Sequence, residues 1–182
     1  MTSAAETSAP AGLVLEDLYR DQMELAWRTA RYLGVPAADA EDVVHEVFIV
    51  VQRRLADYDP AYSVRSWIAG ITRRVVMHYH RSRTRSERRI ARVETPVQTS
   101  TSPDEAVSHN EAAAFLESFI AGLPTDKREA FVLGELEGLS APEIAHIVGH
   151  NVNTVYSRLR SARQAFQASV DRLEAVRRRE GG

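Results

Sequence analysis

The chain of 182 residues contains no cysteine, which excludes a disulfide framework, a thiol nucleophile and cysteine-ligated zinc. It has one lysine, Lys127, so arginine supplies nearly all of its positive charge. Long apolar runs are missing as well. The longest, Val47–Val51, falls far short of the roughly 20 residues that cross a bilayer as a helix. The N-terminal "MTSAAETSAPAG" lacks the basic start and apolar core of a secretion signal, and a cytoplasmic location is expected by default. No alternation of polar and apolar residues marks a strand. A glycine-rich phosphate loop and a nucleophile elbow are both absent, so neither an enzyme nor a cofactor site is expected. His146 and His150 lie four apart, but Gly149 ends the helix between them and no acidic third ligand is evident, so no metal site is expected either.

What is present is normal for a soluble globular protein, with 44% hydrophobic and 26% charged residues. The net charge of −2 conceals an uneven distribution. Between Arg65 and Arg92 nine arginines face one acid, Glu87, and between Arg158 and Arg179 seven more face only Asp171 and Glu174. Acids gather in 16–59 and 104–143. Two basic zones in a nearly neutral chain fit a polyanion footprint at two places. They equally fit two solvated helix faces.

Glycine and proline divide the chain into helical stretches. Helices are expected at about Leu13–Leu33, Asp39–Leu55 and Val64–Arg83, with a turn at Asp57–Ser63, "DYDPAYS". The second carries the apolar stripe Val44, Val47, Phe48, Val51 and Leu55, and the third sets Trp67, Ile68, Ile71, Val75 and Tyr79 on one side and arginines on the other. The segment Val93–Glu105, "VETPVQTSTSPDE", is rich in Ser, Thr and Pro without an apolar period and reads as a flexible linker. Further helices are expected near Asp104–Ala121, Asp126–Leu136, Ala141–Val148 and Val152–Arg178. Gly122, Gly138 and Gly149 suit helix stops, Ser140 with Glu143 makes a capping box, and Asn151 is a good N-cap. The resulting expectation is an all-α chain: a disordered tail over 1–12, a helical domain over 13–92, a linker over 93–105 and a second helical domain over 106–180.

The stretch "EIAHIVGHNVNTVYSRLRSAR" (Glu143–Arg163) has the spacing of a helix-turn-helix. Ile144, Ala145 and Val148 face inward from its first helix, and Val155 and Leu159 from its second. Small Ala145 permits a close crossing, and Gly149 supplies the backbone freedom the turn needs. The second helix then offers Val152, Asn153, Tyr156, Ser157 and Arg160 on its outer N-terminal face, types suited to base edges in a major groove. Arg158 and Arg163 are placed for phosphate. A purely structural hairpin has the same spacing.

In "LADYDPAYSVRSWIAGITRRVVMHYHRSRTR" (Leu55–Arg85), Tyr58, Tyr62, Trp67 and Tyr79 alternate with cations. Bases of a separated strand stack on rings while arginines follow the backbone, so the mixture suits single-stranded DNA. Trp67 shares the period of Ile71 and Val75 and fits the core better. Tyr58 and Tyr62 fall in the turn, where no apolar stripe accounts for them. The preceding helix keeps Asp42, His45, Glu46 and Ile49 off its core stripe, and an outward isoleucine among acids suits a protein-docking face.

The blocks "DAEDVVHEVF", "RSWIAGITRRVVMHYHR" and "LPTDKREAFVLGELEGLSAPEIAHIVGHNVNTVYSRLRSAR" resemble, in order and spacing, the extracytoplasmic-function (ECF) sigma factors of bacteria over about Leu13–Phe166. The resemblance implies that the first domain is region 2, docking on the β′ clamp helices of core RNA polymerase through Asp42, His45, Glu46 and Ile49. Its loop Tyr58–Arg65, with Tyr62 and Ser63, would capture a flipped base of the −10 element, with Trp67 beside it and Arg73, Arg74 and His78 along the non-template strand. The second domain would be region 4, meeting the β flap and reading the −35 element with Tyr156, Ser157, Arg160 and Ser161. The linker would thread toward the polymerase active site, and an anti-sigma factor is the usual regulator. The chain departs from the family pattern at Arg74, where asparagine is common, at Gly134, where arginine is frequent, at Ala141 for tyrosine, and at Val152-Asn153 for an acid-glycine pair. A stand-alone helix-turn-helix regulator is the alternative; it predicts a dimer on a palindromic operator.

Overall fold

The computed structural model describes residues 14–90 and 111–180, apart from the side chains of 86–90 and 180. The expected tail, the Val93–Glu105 linker, Leu13 and the start of the helix expected from Asp104 lie outside the described residues. Every regular element among the described residues is helical.

Three helices build the N-terminal half: α1 (Leu15–Tyr32), α2 (Ala37–Arg54) and α3 (Val64–Ile90). Helix α1 turns one stripe inward, Leu18, Leu25, Ala26, Thr29 and Ala30. It stops where Leu33 donates its N–H to Thr29 O at 2.9 Å and Gly34 takes φ 97°. Helix α2 starts directly after Pro36 and buries Val43, Val44, Val47, Phe48 and Val51. Ile68, Ile71, Val75 and Val76 of α3 close the same core. Burying each such side chain contributes about 1.5–3 kcal/mol, and this holds the three helices together. Helix α3 runs to Ile90, past the Arg83 expected from its apolar period. The extension is arginine-rich and free of Gly and Pro, so intrinsic propensity carries the helix on after the packing stripe has ended.

The C-terminal half contains α4 (Glu111–Gly122), α5 (Thr125–Phe131), a π-helical turn (Val132–Leu136), α6 (Ala141–Val148) and α7 (Val152–Glu180). One continuous helix was expected over Asp126–Leu136; instead its second half widens, with Glu137 N–H donating to Val132 O at 3.0 Å. At the centre of the widened turn a Cβ on Gly134 would lie 2.7 Å from Leu159 Cδ2 and 3.3 Å from Ile144 Cδ1. The glycine thus lets α7 pack closely where the family pattern has a long side chain. Phe115, Phe119, Phe131 and Phe166 join into a ring cluster with neighbouring centroids 5.1–6.0 Å apart.

The boundaries of α6 follow the sequence signals. Ser140 and Glu143 form the full capping box, and Gly149 ends the helix at φ 71° with its N–H on Ala145 O. Asn151 Oδ1 then accepts the Asn153 N–H at 2.8 Å and starts α7. Ile144, Ala145, Val155 and Leu159 are buried between α6 and α7, and Val148 is half-buried. Gly122 closes α4 without a positive φ. The two halves touch: α6 lies against α3, and the π-helical turn and α4 lie against α1.

Candidate nucleic-acid and polymerase interfaces

The first turns of α7 present Asn153, Tyr156, Ser157 and Arg160 to solvent, with Val152 and Ser161 half-buried beside them. Tyr156 is 57% exposed and packs into no core. The outer face is ordered from beneath, because Val155, Leu159 and Ala162 on the opposite side are buried. Arg158, half-buried, and Arg163, exposed, are each engaged by an acid. Arg158 Nε lies 3.2 Å from Asp126 Oδ2, and Arg163 reaches Glu135 at 2.7 Å. The hydrogen bond to Glu135 holds the Arg163 guanidinium above the ordinary arginine range. Phosphate contacts from either side chain would have to compete with these acids.

The second group surrounds the loop after α2. Leu55–Asp57 form a short 3-10 turn, and Ser63 Oγ accepts the Ser66 N–H at 3.1 Å where α3 begins. Tyr58 packs edge-on against Trp67 with centroids 5.2 Å apart and donates its hydroxyl to Tyr62 O at 2.7 Å. Trp67 is half-buried, between the core position its period suggests and the surface position a base contact needs. Arg73 is half-buried, whereas Arg74 and His78 are exposed. Arg74 curls back to donate from Nε to Gly70 O at 3.2 Å. Desolvation, then the neighbouring Arg54 and Arg73, hold its guanidinium below the usual arginine range.

On the outer side of α2, Asp42, His45, Glu46 and Ile49 are all exposed, Ile49 at 47%. The buried stripe of α2 occupies its other face, so these four form one continuous surface. Glu46 also borders a cleft of about 240 Å³ shared with Arg54, Arg74 and His78.

Sequence reasoning missed how the two halves meet. Glu137, 1% exposed, is the hub. Its carboxylate accepts from Arg28 at 3.0 Å and from Arg65 at 2.9 Å, and its carbonyl accepts from Arg65 Nε at 2.7 Å. Arg28 is held above its usual range chiefly by the hydrogen bond to Glu137. Arg73 donates to Glu129 at 3.0 Å, and Ser63 donates to Glu143 Oε1 at 2.8 Å. Tyr62 stacks on His146 with centroids 4.4 Å apart and planes 22° from parallel. No local pattern marks these partners, because each pair joins residues more than fifty positions apart.

Comparison with known proteins places both halves. The Sigma-70 region 2 family model matches residues 18–86, and the Sigma-70, region 4 model matches residues 116–166. The chain is 31% identical over 163 residues to the ECF RNA polymerase sigma factor SigC of Mycobacterium tuberculosis, covering 88% of this chain and 85% of that protein. It is 30% identical over 163 residues to the ECF RNA polymerase sigma-E factor of Escherichia coli K12, covering 85% and 84%. The solved structure of CnrH in complex with the cytosolic domain of CnrY superposes with a TM-score of 0.63 at 27% identity, over 86% of this chain and 87% of that one. With a region 2 three-helix half, a region 4 helix-turn-helix half and relatives matched over most of their length, this chain belongs to the ECF family of RNA polymerase sigma factors, initiation factors that bind core polymerase and promoter DNA.

Proposed function

We propose that Asp42, His45, Glu46 and Ile49 dock this sigma factor on the β′ clamp helices of core RNA polymerase, and that region 4 meets the β flap. The exposed face of α7 reads the −35 duplex: Val152, Asn153, Tyr156, Ser157, Arg160 and Ser161 meet base edges, and Arg158 and Arg163 meet phosphate. The loop and α3 hold the opened −10 strand through Tyr58, Tyr62, Ser63, Arg65, Trp67, Arg73, Arg74 and His78. Extruding a base costs a few kcal/mol, which stacking in an aromatic pocket offsets. The chain itself does no catalysis; synthesis belongs to the polymerase, which places the work in the cytoplasm.

The observation that carries this reading is the exposed row Asn153, Tyr156, Ser157 and Arg160 on a helix anchored by its opposite face. A net charge of −2 suits a subunit that binds promoters only within the holoenzyme, because phosphate contacts dominate the affinity of a protein for DNA alone. A protein regulator of the anti-sigma type is also proposed; CnrH, a relative, was solved with the cytosolic domain of CnrY. Run-off transcription with core polymerase and genomic fragments tests the whole reading. RNA chains starting at defined sites are expected only when both proteins are present, and their absence would overturn it.

A further inference from the structure

We infer that Asp126 and Glu135 are internal counter-anions of the −35 reader: they occupy the phosphate-binding arginines of α7 and hold down the affinity of region 4 for duplex DNA. The inference rests on the phosphate contacts proposed above for Arg158 and Arg163.

The two acids come from elements that pack against α7. Asp126 lies in the first turn of α5, and Glu135 lies in the π-helical turn beside Gly134, whose missing side chain leaves room for Leu159. Arg163 gives both Nε and Nη2, at 2.8 and 2.7 Å, to the same oxygen of Glu135. The edge that would fork onto a phosphate is therefore taken. Arg158 turns its Nε to Asp126 Oδ2 at 3.2 Å. Arg160, between them in sequence, is exposed and forms no ion pair among the described residues. The acids thus sit on the two cations whose phosphate contacts carry no sequence information, and leave alone the one placed for a base edge.

The pairs are open enough to be exchanged. The Asp126 side chain is 50% exposed and that of Glu135 is 29% exposed, and ion pairs so accessible to water hold weakly. A phosphate can displace either carboxylate, but the displaced acid then stands beside a polyanion and draws a cation back. That uptake cancels the counterion release on which phosphate contacts depend. Binding to the upstream element is left to rest more heavily on base contacts, and the reader grips duplex DNA less tightly than its arginines alone would allow.

Four chains test this: wild type, Asp126→Asn/Glu135→Gln, Arg158→Gln/Arg163→Gln, and the quadruple variant. Each is assembled with core polymerase and titrated with a duplex carrying only the upstream element of a promoter found by run-off transcription. Neutralising both acids is expected to tighten binding and to steepen log K against log salt by up to about 1.8, roughly 0.9 for each phosphate contact. The gain over wild type then shrinks about tenfold between about 50 and about 200 mM salt. Neutralising the acids in the chain that lacks the two arginines is expected to give no such gain, and that background subtracts the general repulsion between acids and DNA. Weaker binding by the acid-neutral chain would show that the carboxylates position the arginines instead of competing for them. An equal gain with or without the arginines would reduce the effect to overall charge. Either result overturns the inference. Thermal midpoints check the folding of each chain; if the double change does not fold, Asp126→Asn and Glu135→Gln carry the same comparison singly, each with about half the change in slope. If removing the arginines leaves binding unchanged, the phosphate assignment falls together with the inference. If it weakens binding and the acid-neutral chain gains nothing, only the counter-anion role falls.

Discussion

Among the described residues Arg160 forms no ion pair, whereas its neighbours Arg158 and Arg163 are each paired with an acid, and it is exposed on the first turns of α7. That difference separates a side chain available to a base edge from two already committed to carboxylates. Arg160→Ala is expected to cost about 1–3 kcal/mol of discrimination at one −35 base pair and to leave assembly with core polymerase unchanged. Competition between −35 variants in transcription checks it; identical loss on every variant would mean a phosphate contact, and no loss would remove Arg160 from the interface. Among single residues, the inward positions Ile144, Val155 and Leu159 were legible from spacing alone, because a buried stripe repeats with the helix. The engagement of Arg158 by Asp126 was not, since a cation's partner depends on which helix the fold brings alongside.

Individual elements were legible where their ends carry their own chemistry. The capping box of α6 is local, and so it appears in the sequence as it does in the structure. The hydrogen bond from the Ser140 hydroxyl, then that from its backbone N–H, lowers the Glu143 pKa below the ordinary carboxylate range, with Ser63 and Ser66 adding to the effect. A carboxylate whose folded pKa is depressed contributes stability that is fully present above its unfolded pKa and is lost as pH falls through the folded value. Ser140→Ala is expected to destabilise the chain by about 1 kcal/mol at neutral pH, and by less once the medium is acid enough to protonate Glu143 in both proteins. Denaturant midpoints at the two pH values measure this; a penalty independent of pH would show that the acid plays no part in the cap. The ends of α3 and of the helix before the π-helical turn were less legible for different reasons. One continues on propensity after its apolar stripe stops, and the other changes pitch to admit Leu159 beside Gly134.

Across the described residues, the surface differs in chemistry from one element to the next. The outer face of α2 exposes acids with an isoleucine and the first turns of α7 a row of hydrogen-bonding side chains, whereas the rings and arginines of the loop and α3 are largely half-buried against the C-terminal half. Asp42→Arg with Glu46→Arg reverses the charge of the first surface without touching its buried stripe, and is expected to abolish co-purification with core polymerase while the thermal midpoint stays within a few degrees, about the shift surface changes produce. Retained co-purification would move the docking surface elsewhere. The all-helical architecture and the two-part organisation could be read from the chain because both are written in local periodicity. The packing of one half on the other could not, because it depends on single charges that meet only after folding.

Parting Glu137 from Arg28 and Arg65 returns water to one anion and two cations together. Hydration of ions becomes less favourable as temperature rises, so this part of the contact tightens on warming and slackens in the cold.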